Sequence, residues 1–118
     1  MTMKTIIAGC RDWTDAWMVG HAISGCSWNI TEIVSGGARG ADKLGERWAK
    51  ENDVPLRVFP ADWDSHGKAA GPIRNKQMAV YADAILVFWD GQSRGTKNMI
   101  GEAVKQGLTA VVHIVPRA

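Results

Sequence analysis

Charge of one sign is what this 118-residue chain lacks most clearly. It carries 14 basic and 12 acidic residues, a net charge of +2. That balance gives no support to a bulk polyanion partner, so nucleic acid is not expected and any anion site has to be a local patch. Cysteine is scarce. Cys10 and Cys26 have no metal-ligand spacing, and with no signal peptide ahead of them they point to a reducing cytoplasm. No apolar run is long enough to span a bilayer, which argues against a membrane partner. His21, His66 and His113 fall in different predicted elements, so no metal is expected. Neither a Ser-His-Asp nor a Cys-His pairing is suggested. The G-x-x-x-x-G-K-[ST] and G-x-G-x-x-G fingerprints are both absent, which leaves Walker-type ATP hydrolysis and ordinary NAD binding without support; no cofactor is called for.

What is present is an ordinary globular composition, 46% hydrophobic. Its length is that of a single domain over residues 1–118. Apolar runs at residues 3–9, 30–35, 55–59, 84–89 and 109–115 read as strands. Between them, helical patterns run from a cap at Thr14 to about Ser24, over residues 41–52, over 73–81 after Pro72, and from a cap at Thr96 to about Gly107. On the second helix Ala41, Leu44, Gly45 and Trp48 form the apolar face, while residues 65–71 read as flexible. The run Ala84-Ile85-Leu86-Val87-Phe88-Trp89 is the most apolar and predicts a central strand covered on both faces. This alternation predicts an α/β, Rossmann-like open parallel sheet of five strands with helices on both faces.

In such sheets ligands lie beyond the carboxyl ends of the strands, where strand order reverses. Gly9, Cys10 and Arg11 follow the first strand. Ser35-Gly36-Gly37-Ala38-Arg39-Gly40-Ala41-Asp42 follows the second, a glycine turn whose N–H groups and helix dipole suit a phosphate. Trp63 follows the third, Arg74 and Asn75 open the third helix, and Trp89, Asp90, Arg94, Gly95 and Thr96 follow the fourth. Arg11, Arg39, Arg74 and Arg94 therefore share one rim, and guanidinium forks match phosphate bidentately. The expectation is a phosphorylated small-molecule ligand, with Trp63 or Trp89 against its base. Cys10 on this rim is either a packing residue or a thiol activated by a neighbouring arginine.

Gly9-Cys10-Arg11, the S-G-G-A-R-G-A-D string at 35–42, Gly71-Pro72-Ile73-Arg74-Asn75 with Met78, and Arg94-Gly95-Thr96 resemble the YspA-type, YpsA-related branch of the SLOG superfamily. The resemblance runs from the first strand to the last. It implies a Rossmann-like domain that binds nucleotides or nucleotide-derived molecules at the glycine-rich rim. Ligands of the ADP-ribose or cyclic ADP-ribose type are among them. Small stand-alone members are frequent in bacteria and their phages, which implies sensing or sequestration without catalysis, the latter as a phage-encoded anti-defence binder.

Related LOG-type phosphoribohydrolases carry a catalytic Glu three residues after the Thr of P-G-G-x-G-T-x-x-E. Met99 stands at that place here, and Glu102 falls one turn later. No catalytic residue is therefore assigned. The alternative is a small nucleotide N-glycosidase or phosphoribohydrolase-like hydrolase using Glu102, Asp42 or Asp90. A second alternative is an oligomeric interaction protein. Six tryptophans and a Met99/Ile100 face on the fourth helix would supply its surface, and a homo-oligomer is expected. A further SLOG branch, the DNA-processing A proteins, binds single-stranded DNA.

Overall fold

A computed structural model describes residues 2–13 and 15–116. Five strands, β1 (Thr2–Gly9), β2 (Asn29–Ser35), β3 (Leu56–Val58), β4 (Ala84–Trp89) and β5 (Thr109–Ile114), form one all-parallel sheet in the order β3-β2-β1-β4-β5. The chain winds outward from β1 through β2 to β3, then crosses to β4 on the other side of β1. The order thus reverses between β1 and β4, whose register runs from Thr5 opposite Ala84 to Gly9 opposite Phe88.

Strand alternation sorts the core into two layers. Ile7, Ile33, Leu86 and Phe88 face α1 (Ala16–Ser24) and α2 (Ala41–Glu51), where Val19, Ile23 and Ala49 cover them. Ile6, Ala8, Val34, Ile85 and Val87 face the opposite way. There Met78 and Ala79 of a helix at Ala70–Tyr81 and Met99 and Ala103 of a helix at Arg94–Lys105 cover them. A four-residue helix, α3 (Trp63–His66), and a 3-10 turn (Gly67–Ala69) lead directly into the first of these, α4 (Ala70–Tyr81); the second is α5 (Arg94–Lys105). β4 is buried along its length as far as Phe88, as expected of a doubly covered strand. β5 has one neighbour, and Val111, Val112 and Ile114 are exposed on it.

The sequence-based elements stand with four corrections. Residues 65–71 are helical, because the Asp62 carboxylate accepts from Ser65 N and caps a turn that runs into α4. Helix α5 is capped by Ser93 rather than Thr96, with Ser93 Oγ accepting from Thr96 N at 3.5 Å. Thr14 lies outside the described residues; Asp15 caps α1 through Met18 N at 2.9 Å. Finally α2 is turned so that Asp42, Gly45, Glu46 and Ala49 are buried alongside Ala41, while Leu44 and Trp48 are only half-buried. Charged residues face inward there because the end of β2 supplies partners for them.

Candidate functional site

Those partners form the centre of the glycine turn. Ser35 Oγ donates to Glu46 Oε2 at 2.7 Å and accepts from Gly37 N at 3.0 Å. Asp42 Oδ2 accepts from Ala38 N at 3.2 Å, and Gly36 N–H is directed at the same carboxylate. The Arg74 guanidinium lies beside it, donating Nη1–H to Gly36 O and Nε–H to Asn75 Oδ1 at 2.9 Å. A Cβ on Gly36 would fall 2.6 Å from Arg74 Nη1 and 2.9 Å from Asp42 Oδ2, so the turn admits only glycine there without displacing one of them. Burial pushes the Asp42 carboxyl up to about 6, against the opposing pull of the Ala38 N–H and the Arg74 charge. Burial also lowers the Arg74 pKa; Asp42 opposes that shift and Arg11 adds to it.

The turn expected to cradle a phosphate therefore holds a carboxylate of its own chain. The N–H groups of Gly36, Gly37 and Ala38 all point at internal acceptors. Ala41 N donates to Cys10 O at 3.3 Å, which seats Gly40, at φ +81, against the loop after β1. The sequence assigned these groups to a ligand; Asp42 and Ser35 take them because both sit within hydrogen-bond reach of the turn.

The open space lies beside the turn, over the carboxyl ends of β1 and β4. A crevice of about 310 Å³ on the α4/α5 side is bounded by Gly9, Arg11, Asp42, Trp63, Arg74, Asn75, Arg94, Gly95 and Thr96. Nine of the residues expected from sequence thus share one wall system. Lys68, Met78, Ser93, Asn98 and Met99 are among its other walls. Asn98 was not singled out, because an asparagine in the first turn of a helix carries no motif; Lys68 falls on the rim after the third strand but was not assigned to the ligand. Asn75 Nδ2 donates to Asn98 Oδ1 at 2.9 Å, so this pair ties the starts of α4 and α5 together under the crevice. A second hollow of about 480 Å³ along the outer side of the turn is edged by Gly36, Gly37, Arg39, Lys43 and Trp63 together with Arg11 and Arg74. A third, of about 350 Å³, opens towards the α1 side between Cys10, Trp13, Arg39, Asp90 and Val115. Arg11 borders all three.

Ser35 and Gly40 support the rim from behind. Trp89 does not reach it: the ring packs on the α4/α5 core and Nε1 donates to Ser93 O at 3.1 Å. Trp63, half exposed, stands at the mouth of two hollows, and Trp13 lines the third. Met99 is buried in the crevice floor, and Glu102 lies away from it, paired with Lys105 at 3.5 Å. The Met99/Ile100 face is thus core rather than surface. Cys10 is buried, its thiol pKa raised mainly by that burial, and Sγ accepts from Asp90 N at 3.2 Å; it packs rather than reacts. Among the described residues, no three His, Cys, Asp or Glu side chains are grouped to hold a metal ion, and no helix is long and apolar enough to cross a membrane.

Three comparisons bear on this geometry. The model of a family described as YspA, cpYpsA-related SLOG matches residues 3–66. The Gene 61 protein of Mycobacterium phage D29 is 36% identical over 118 residues, covering 92% of this chain and 94% of that protein. The X-ray structure of DNA processing protein A (DprA) from Streptococcus pneumoniae superposes with a TM-score of 0.76 at 19% identity. That match covers 98% of this chain but 50% of the DprA chain, so this chain spans half the length of that neighbour. At this identity the likeness is one of fold.

Proposed function

Because the chain belongs to the YspA, cpYpsA-related SLOG family, we propose that it binds a nucleotide or nucleotide-derived phosphorylated ligand in the switch-point crevice, without catalysis. One observation carries this reading: Arg11, Arg74 and Arg94 border a single crevice over the carboxyl ends of β1 and β4, with Trp63 at its mouth. Three guanidinium groups and Lys68 around one hollow suit phosphate oxygens, and the indole face suits a base. The start of α5 adds to this, since the N–H groups of Arg94 and Gly95 have no acceptor among the described residues.

The placement of the carboxylates supports the reading without catalysis. Asp42 is the carboxylate bordering the crevice, and it is held by two backbone N–H groups beside Arg74. Glu102 is turned away and Met99 fills the floor. A ligand of the ADP-ribose or cyclic ADP-ribose type fits these groups, and the similarity to a phage protein supports sequestration of such a signal as the role. The unpaired thiols Cys10 and Cys26 suit a reducing cytoplasm. Titration calorimetry with adenine nucleotides, ADP-ribose and cyclic ADP-ribose tests the binding, and no heat at millimolar ligand removes it. Ligand recovered intact after long incubation separates binding from hydrolysis.

An oligomer is the companion proposal. β5 leaves one edge unpaired among the described residues and exposes Val111, Val112 and Ile114, which suits pairing with a second copy. A monomeric mass in sedimentation would remove it.

A further inference from the structure

The two edges of the sheet are built differently. β3 is three residues long, carries Arg57 at its middle and lies between Pro55 and Pro60. Shortness, charge and proline are the devices that keep an edge strand from pairing. β5 has none of them: its six residues include no proline, lysine, arginine or carboxylate.

The backbone of β5 is turned in a defined way. Thr109 N donates to Asp83 O at 3.2 Å and Val115 N to Trp89 O at 2.9 Å, so the odd-numbered residues face β4. Ala110, Val112 and Ile114 therefore direct their N–H and C=O groups at the open edge. Neither face of the strand is covered. On the α4/α5 side Val112 and Ile114 are 39% and 68% exposed. On the α1 side Val111 is 38% exposed, and with His21 and His113 it borders a hollow of about 390 Å³. A parallel strand that is apolar on both faces is one that a fold ordinarily buries.

We infer that a second copy of this chain covers β5, its own β5 running antiparallel to the first about a two-fold axis through Val112, so that one sheet continues across both copies. This rests on the oligomer reading above and fixes its register. A two-fold axis normal to the sheet sets residues of the same face opposite each other, so the axis falls on one residue rather than between two. Centred on Val112, it pairs Val112 with the partner's Val112 and Ala110 with the partner's Ile114. Every outward N–H and C=O then meets its complement. Moving the centre to Val111 leaves Ile114 without a strand partner, and moving it to His113 leaves Ala110 without one. The strand is thus complementary to itself, which is why the occupant is a second copy. The same register sets the partner's Leu108 opposite Pro116, which edges the α1-side hollow, so the interface reaches the rim and adds a wall to it.

Sedimentation equilibrium and cysteine cross-linking test this together. The wild-type protein should sediment as a dimer. Val112→Lys sets two like charges on the axis at an exposed position, and should raise the dimer dissociation constant at least about tenfold with an unchanged circular dichroism spectrum. Val112→Cys, close to the native side chain in size, brings two thiols to a hydrogen-bonded pair whose Cα atoms lie about 5.5 Å apart, within disulfide reach. Oxidised glutathione should link it as a dimer. Ala110→Cys places its two thiols about 13 Å apart and should not link, nor should the wild type with Cys10 and Cys26 alone. A wild-type monomer at all concentrations overturns the oligomer reading and the register with it. A dimer that Val112→Lys leaves intact, or that Ala110→Cys links as readily as Val112→Cys, overturns the register and leaves an oligomer standing.

Discussion

Two strand-to-helix turns flank the crevice, and they do opposite things with the same kind of residues. The turn from β2 into α2 closes on itself: Gly36, Gly37 and Ala38 direct their N–H groups at Asp42 and Ser35, and Arg74 lies against the result. The turn from β4 into α5 is held at its base by Asp90, which accepts from Gln92 N and Ser93 N at 2.8 Å each. Its helix start faces open space, and a Cβ on Gly95 would meet nothing within 4 Å. A glycine-rich string therefore reports close approach of some group to the backbone. Whether that group is a ligand depends on whether the chain brings its own anion, and α2 brings Asp42.

The largest effect that sharpens this contrast is the pH dependence of Asp42. Its carboxyl is raised from 3.8 to about 6 in the fold, so between those values the native chain holds more protons than the unfolded one. Stability then falls as pH rises through that window, by an amount on the order of 3 kcal/mol, and stays lower above it. Urea melts of wild type and Asp42→Asn at pH 4 and pH 7 should show the variant gaining that much on the wild type; parallel curves would break the contrast. Next in size is Gly36→Ala, where the new methyl collides with Arg74 and Asp42 and should cost about 2 kcal/mol in the same melts. Arg94→Ala should leave stability unchanged and weaken ADP by about tenfold, roughly 1.4 kcal/mol, in calorimetry. Gly95→Ala closes the series: with open space around it, stability should move by no more than about 0.5 kcal/mol. If Gly36→Ala proves as mild as Gly95→Ala, the β2–α2 turn is not the packed centre described here.

Much of this was legible in the sequence, for identifiable reasons. β4 is buried on both faces, so its six residues, A-I-L-V-F-W, carry no polar interruption. The rim arginines were legible because loops after parallel strands can lie only at one edge of the sheet. The orientation of α2 was not. Periodicity assigns charged residues to solvent, and Asp42 and Glu46 go inward because Ser35 at the end of β2 and Arg74, distant in sequence, meet them there. The start of α5 was misplaced because Ser93 and Thr96 are both good caps three residues apart, and their hydroxyls lie 3.1 Å from each other. Trp17 shows the limit of reading burial from residue type: it is apolar and lies in α1, yet it is 74% exposed and stacks on His21.

On the proposed reading, the carboxyl group inside the β2–α2 turn would also make the protein a proton acceptor when its ligand binds. An anion arriving beside Asp42 adds like charge and raises its affinity for hydrogen ions, so near pH 6 each binding event draws a fraction of a proton from the medium. The apparent enthalpy then includes the buffer's heat of ionisation, and the same titration in phosphate and in an amine buffer should give two different heats. ADP-ribose is the clean probe, since its phosphodiester groups do not titrate near this pH. The slope of heat against buffer ionisation enthalpy would count the protons that one buried aspartate takes up.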